Sequence, residues 1–355
     1  MKYSIAIIGS GSMGGKHTYG YDRINEFYSD MQIEKKVVCS RNITSERSKE
    51  LGWSEYEKDW EKVVARSDID VIDISTYDNL HYPIAKAALN NNKRVICEKP
   101  LANNQEQARE LVKLAWGKSI NCTVCMNYRY MHAVRCMKQL IESGELGQIR
   151  HIYGSFTMDS AVDVNTGMYW RFDDKVSPTG TIGDLGTHLI DLCRFIGLEF
   201  AEVGGMSEVY GKKRQSGSGF VETTASELCV FNARFNNGAL GVFELSRVSS
   251  GGGMVFEIHG TKSSVRWEKV NINELLIHTK DMADSWSYKR INVGEIIPYD
   301  YKWNSEFIQN DGFTLLFHDF LSGGTPPTFS DGLKCAEIVD AILLSDKEKR
   351  TVQIS

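Results

Sequence analysis

The chain has 355 residues, a formal net charge of −5 and a pI near 6.0. That length suggests two domains, and that charge excludes a globally basic surface for nucleic acid or anionic membrane. Hydrophobic residues make up 42% and charged residues 25%, the balance of a globular chain with a large core.

No apolar run reaches the ~18 residues a membrane span needs. The apolar stretch Ile5–Ile8 is too short for a signal-peptide core, so a cytoplasmic location is expected, with neither membrane nor nucleic acid as a partner. Lys212-Lys213-Arg214 and Lys347–Arg350 read as solvated turns or helix ends.

From the N-terminus to about residue 125, strands and helices alternate. Ile5–Ile8, Lys36–Cys39, Asp70–Ile74 and Arg94–Cys97 are short apolar strands, with helices such as Tyr82–Asn90 and Asn104–Trp116 between them. Such alternation predicts a parallel, doubly wound sheet, which binds ligands at the carboxyl ends of its strands. Cys122-Thr123-Val124-Cys125 is the one close pair among eight cysteines. A zinc site would want a second pair, so these read as reduced core cysteines, and no metal is expected.

After Met126 the pattern changes. A helix is predicted over Val134–Ser143, an extended segment over Ile149–Thr157, and a strong helix from Asp184 to about Ile196. Between Ala201 and Trp267 alternating strands carry turns such as Phe235-Asn236-Asn237-Gly238, a hairpin signal. Asp281–Lys302 has little periodicity and reads as a long loop or ragged hairpin. Helices near Gly312–Leu321 and Asp331–Ser345 follow. The expected organisation is an N-terminal doubly wound domain over residues 1–125 and an α+β domain with a large, mostly antiparallel sheet over 126–330. A C-terminal helical segment covers 331–355.

Three motifs carry chemistry. Gly9-Ser10-Gly11-Ser12-Met13-Gly14 follows the first strand and opens a helix, the context in which G-x-G-x-x-G holds a dinucleotide pyrophosphate on a helix N-terminus. The second strand ends in Cys39-Ser40-Arg41-Asn42 without the carboxylate that selects NAD. Ser40 could hydrogen-bond the ribose, and Arg41 could pair with a 2′-phosphate or stack on adenine. Glu98-Lys99-Pro100 closes a strand on the ligand-facing edge. Lys99 is there either a solvated charge or a donor to a reacting oxygen.

The third motif is Gly183-Asp184-Leu185-Gly186-Thr187-His188-Leu189-Ile190-Asp191. On a helix, Asp184 and His188 are four apart and share a face that Asp191 continues. Histidine trades protons near neutral pH, and a neighbouring carboxylate can orient it. The competing readings are an ordinary charged helix start and, less fitting for want of a third ligand, a metal pair. Gly183 and Gly186 would admit another group close to the helix start.

In this order the three motifs resemble the glucose–fructose oxidoreductase/inositol dehydrogenase (Gfo/Idh/MocA) family, over almost the whole chain. The resemblance implies a Rossmann domain followed by an open α/β domain whose sheet face mediates homodimers or homotetramers. It also implies that the C-terminal helical segment packs back on the first domain. It implies Lys99, Asp184 and His188 as catalytic residues. It implies a cofactor, NAD or NADP, held by Gly9, Gly11, Ser12, Met13, Gly14, Ser40, Arg41, Thr76, Asn79, His81, Glu98, Lys99, Asn127, Trp170 and Arg171. Tyr77 stands where the family commonly has proline, which leaves the shape of that loop open.

Asn127-Tyr128-Arg129, Trp170-Arg171-Phe172, Phe256–Gly260 and Asn273-Glu274-Leu275 are similar to the branch of levoglucosan dehydrogenase and related sugar or cyclitol dehydrogenases. Tyr128, Arg129, Asp159 and Trp170 then join Lys99, Asp184 and His188 as candidate substrate contacts. The implied activity is oxidation of a secondary hydroxyl of a sugar or cyclitol to a ketone, or the reverse. Two other readings remain: an NAD(P)-binding sensor without turnover, and an NAD-retaining redox-neutral enzyme that cleaves glycosides.

Overall fold

The computed structural model describes residues 1–163, 165–279, 287–293 and 311–354. The chain forms two compact units. One is Met1–Asn127 with Ile308–Ala336; the other is Tyr128–Phe307 with Glu337–Ser355.

In the first unit six parallel strands form one sheet. They are β1 Lys2–Ile8, β2 Gln32–Cys39, β3 Glu55–Glu57, β4 Val71–Ile74, β5 Arg94–Cys97 and β6 Cys122–Val124, in the order β3-β2-β1-β4-β5-β6. This is the Rossmann order, whose reversal between β1 and β4 opens a crevice at the carboxyl strand ends. The crossovers carry α1 Ser12–Phe27, α2 Ser45–Glu50, α3 Trp60–Val64, α4 Asp78–Asn90 and α5 Gln105–Gly117. Helix α4 starts four residues before the sequence suggests and carries Pro83 inside it. A proline there forfeits one intrahelical hydrogen bond without ending the helix. All eight cysteines are buried thiols.

The central strands are apolar on both faces, as burial by helices on each side requires. Asp73 of β4 is the exception, fully buried. Its carboxylate accepts from Tyr21 Oη at 2.6 Å and meets His17 Nδ1 at 2.9 Å; both side chains come from α1. The other ring nitrogen of His17 lies 3.1 Å from Glu98, at the end of β5. Burial by itself lowers the His17 pKa, but the charges and hydrogen bonds of Asp73 and Glu98 outweigh it and raise it from 6.5 to about 9. Phe313 and Phe317 of α8, Asp311–Ser322, lie against the imidazole with ring centroids 4.8 and 4.9 Å away.

The second unit begins with α6 His132–Glu142 and β7 Ile149–Thr157. The turn Ile182–Gly186 and helix α7 Thr187–Phe195 follow, then β8 Phe200–Glu208. A hairpin of β9 Lys213–Ser216 and β10 Gly219–Glu222 precedes β11 Leu228–Phe235, β12 Leu240–Ser246, β13 Gly253–Gly260, β14 Ser263–Glu268, β15 Glu274–Thr279 and β16 Lys289–Asn292. Helix α9 Phe329–Glu348 and β17 Val352–Gln353 end the chain; α9 divides between the units after Ala336.

Nine of these strands form one sheet in the order β16-β15-β14-β13-β7-β12-β11-β8-β17. Among the described residues of this sheet, β7 and β12 pair in parallel and every other neighbouring pair is antiparallel. Of the stretch read as a loop or ragged hairpin, 281–286 and 294–302 lie outside the described residues, and β16 pairs with β15. The inner face buries Ile152, Phe231, Phe243, Phe256 and Trp267. A Cβ added to Gly154 of β7 would stand 3.2 Å from Leu189 of α7, so the helix packs directly on the sheet.

One sequence expectation fails here. Arg214 is no solvated turn residue: its side chain is fully buried, 2.5 Å from equally buried Glu227 and with its guanidinium 4.0 Å over Phe172. Two backbone N–H groups, of Tyr210 and Gly211, donate to the other Glu227 oxygen at 2.8 Å. Lysine and arginine in a row suggest solvent, but alternation along β9 sends the third inward.

The raised pKa of His17 has a stability consequence with a definite sign. A raised histidine pKa stabilises the fold fully below about 6.5, and that contribution is lost as pH rises through about 9. The groups facing it are Asp73, Glu98, Tyr21 and Cys125. The melting temperature should therefore fall between pH 7 and 10 more steeply in the native protein than in His17→Gln. Parallel curves for the two proteins in differential scanning fluorimetry would refute the assignment.

Candidate active site

The glycine loop of the first unit is shaped as the sequence suggests. Gly9 has φ +121°, and its N–H donates to Cys39 O at 2.8 Å. A Cβ on Gly9 would lie 2.3 Å from Ser75 O, and one on Gly14 would lie 2.1 Å from Gly9 O. Those two glycines pack strand, loop and helix together. Gly11, at the N-terminus of α1, would place its Cβ in open space. The loop thus leaves room for a ligand to approach the backbone beside the free N–H groups of a helix start, which fits a pyrophosphate. Ser12 is exposed and Met13 half-buried.

The remaining cofactor candidates of this unit stand at the carboxyl ends of β2, β4, β5 and β6. Ser40 is half-buried and Arg41 exposed, just after β2. Thr76 and Asn79 bracket the start of α4. His81 is buried and directed inward: Nδ1 lies 2.6 Å from Pro100 O and Nε2 3.3 Å from Thr76 O. It ties the β4 and β5 loops together and does not present its ring to the crevice. Glu98 is buried, and its Oε2 accepts the Lys99 N–H at 3.0 Å. Lys99 is half-buried and Asn127 buried.

In the second unit the Gly183–Asp191 motif is not one regular helix. Ile182–Gly186 is a π-helical turn, and α7 begins at Thr187. Wide turns of this kind recur at functional sites. The groups admitted by its glycines belong to the protein: Cβ atoms at Gly183 and Gly186 would meet Thr179 Oγ1 at 1.8 Å and Leu245 Cδ1 at 2.8 Å.

Asp184 is buried between two guanidiniums. Arg171 Nη1 lies 2.5 Å from one oxygen and Arg247 Nη2 2.9 Å from the other. Arg247 also donates to Arg171 O at 2.8 Å. Arg171 in turn stacks over the Trp170 ring at 4.1 Å. The Trp170–Phe172 turn is pinned by Phe172, whose carbonyl accepts from Thr224 N at 2.9 Å and Ala225 N at 3.2 Å. Asp184 is arranged as a fixed anionic acceptor held by charge-assisted bonds.

His188 is half-buried against aromatic rings, Tyr128 edge-on at 4.7 Å and Phe156 at 5.8 Å. Lys269 Nζ lies 5.6 and 5.0 Å from the same two rings. Asp191 is drawn away from the polar stripe: it takes a two-point contact from Arg129, at 2.8 and 2.6 Å. Arg129 therefore commits its fork to Asp191, and Asp159 lies exposed in the turn after β7. Arg247 and Lys269 went unread in the sequence, because a cation just past a strand is usually solvated.

A Rossmann sheet with an open glycine cradle is the frame of a dinucleotide-binding protein. Residues 3–127 match the model of the oxidoreductase family with an NAD-binding Rossmann fold. Residues 134–266 match the GFO/IDH/MocA C-terminal domain. The chain belongs to the Gfo/Idh/MocA family of oxidoreductases. It is 30% identical to levoglucosan dehydrogenase of Pseudarthrobacter phenanthrenivorans, over 99% of this chain and 98% of that one. The structure of levoglucosan dehydrogenase with NADH and L-sorbose superposes with a TM-score of 0.94 at 30% identity, covering 100% of this chain and 99% of that one. The complex with NADH and levoglucosan gives 0.93 at 30% identity, with both chains covered 100%. Among the described residues no helix is long and apolar enough to cross a membrane.

Removing Arg247 takes the more deeply buried of the two counterions from a buried carboxylate, whereas Arg171 is partly exposed and easier to replace. Arg247→Met should cost about 3–5 kcal/mol of unfolding free energy, and Arg171→Met clearly less. Urea titrations of the two variants check this; equal small losses would show that Asp184 does not depend on Arg247.

Proposed function

We propose that the protein is an NAD-dependent dehydrogenase that oxidises a secondary hydroxyl of a sugar, sugar derivative or cyclitol to a ketone, and can catalyse the reverse. The observation that carries this reading is the full-length likeness to a sugar dehydrogenase, with lysine, aspartate and histidine at the motif positions. The first unit serves as the cofactor domain and the second as the substrate domain. Gly9, Gly11 and Gly14 hold the pyrophosphate, and Ser40 and Arg41 meet the adenosine ribose. The absence of a carboxylate after β2 leaves that position tolerant of a 2′-phosphate.

Bound NAD supplies the acceptor for the carbinol hydride. The chain's own residues handle the proton and the orientation. His188 takes the hydroxyl proton as general base. Asp184, immobilised by its two arginines, accepts a hydrogen bond from the substrate or the imidazole. Lys99 donates to the reacting oxygen and stabilises its developing negative charge. Tyr128 and Trp170 offer aromatic faces to a pyranose ring. The proton relay favours turnover over a sensor role, since binding alone has no need of a base.

The outer face of the large sheet exposes Met206 (64%), Val230 (38%), Leu240 (48%) and Val242 (44%). We read this apolar patch as the surface on which copies of the chain associate into a dimer or tetramer. Val242→Lys should shift the sedimentation coefficient toward the monomer. If the native protein already sediments as a monomer at micromolar concentration, that reading is wrong.

The activity is tested by NADH absorbance with NAD or NADP and a panel of levoglucosan, glucose, glucosides and inositols. One polyol should give NADH, and His188→Ala should lower kcat by about 100-fold or more. Near-normal turnover in that variant would remove His188 from the mechanism. Release of a sugar leaving group with no net NADH would identify a redox-neutral enzyme instead.

A further inference from the structure

We propose that His17 is a positioning residue for Lys99, acting through the two oxygens of the Glu98 carboxylate. This rests on the catalytic role proposed for Lys99. Glu98 Oε1 lies 3.1 Å from His17 Nε2, and Glu98 Oε2 accepts the Lys99 backbone N–H at 3.0 Å. The carboxylate is therefore held at both ends, by an imidazole on one oxygen and by the lysine's own backbone on the other. The imidazole is itself fixed, with Nδ1 at 2.9 and 3.0 Å from the two oxygens of Asp73. Asp73 is fixed in turn by Tyr21 Oη at 2.6 Å.

All four side chains in this series are buried. Three ionisable groups in an apolar core are a costly way to join a helix to a sheet, since well-packed apolar side chains do that at least as well. What apolar packing does not provide is a hydrogen-bonded orientation of the residue after the strand. A carboxylate with both oxygens engaged does, and orientation within a fraction of an ångström is what a donor to a reacting oxygen needs. The charge state agrees with this role. His17, raised to about 9, is a cation at neutral pH. Burial pushes the Glu98 carboxyl up, but its hydrogen bond to His17 and the charges of His17 and Lys99 hold it below its ordinary value.

The test is competitive acetylation of the lysines at a trace level of acetic anhydride, read peptide by peptide by mass spectrometry, on native protein, Glu98→Gln and His17→Gln. It reports the environment of the Lys99 amine without requiring turnover. Exposed Lys58 and Lys62 serve as internal references. We expect the reactivity of Lys99 relative to those lysines to change at least ~3-fold in both variants. Where a sugar is turned over, kcat should fall by roughly tenfold or more while KM changes little.

Unchanged Lys99 reactivity in Glu98→Gln overturns the proposal and leaves the series as core packing alone. Should His17→Gln fail to fold, the near-isosteric Glu98→Gln decides by the same readout. Native protein that binds NADH but oxidises no polyol defeats the functional reading, whereas the labelling result still settles whether His17 and Glu98 orient Lys99.

Discussion

A cation buried between two carboxylates organises the first unit. His17 comes from α1, Asp73 from β4 and Glu98 from the end of β5. The three meet near the point where the strand order reverses, and that reversal creates the ligand crevice. His17 follows Gly14, the last glycine of the loop, by three positions. About one turn of helix therefore separates the phosphate cradle from the imidazole. The helix that opens at the glycine loop is thereby tied to the strand that leads into Lys99, and the cradle and the β5 loop are referred to a single rigid element.

The second unit solves a similar problem with opposite charges. There a single carboxylate, Asp184, is buried between two guanidiniums, and each arginine is itself anchored. Arg247 reaches a backbone carbonyl, and Arg171 rests on Trp170. The fully buried Arg214–Glu227 pair supports the same region, because Arg214 lies over Phe172 in the turn that carries Trp170 and Arg171. Replacing Arg214 or Glu227 leaves a buried charge without its counterion, and replacing Asp184 leaves two guanidiniums without theirs, which is why these sites tolerate little change. The rigidity is concentrated at Asp184, about one turn before His188.

Much of this was legible in the sequence, and the reasons differ by element. The Rossmann strands stood out because strands buried on both faces are short continuous apolar runs, as in Ile5–Ile8. The glycine loop was legible because its spacing follows steric demands that the structure repeats at Gly9 and Gly14. What the sequence hid are properties of pairs distant along the chain. Arg247 lies 63 residues from Asp184, and Glu98 lies 81 from His17. No periodicity joins them. The π-turn at Ile182–Gly186 was hidden too, since a wide turn and an α-turn share the same residues. The inward turn of His81 and the engagement of Arg129 by Asp191 depend likewise on partners that spacing does not reveal.

The buried cluster of the first unit also contains a thiol. The ligand-type atoms of His17, Glu98 and Cys125 all lie within 4.8 Å of one another, a combination that invites a metal reading. The donor chemistry argues for an ionic cluster instead. Both imidazole nitrogens already face carboxylates, and a histidine raised to about 9 carries protons where a metal would need lone pairs. Burial, with the Glu98 and Asp73 charges, holds the Cys125 thiol well above its ordinary value. The protonated imidazole satisfies both carboxylates at once, and a cation bound there would have to displace it. The proton on His17 thus fills the place that a metal ion would take, and it does so with the directional bonds that carry orientation from β4 to the end of β5.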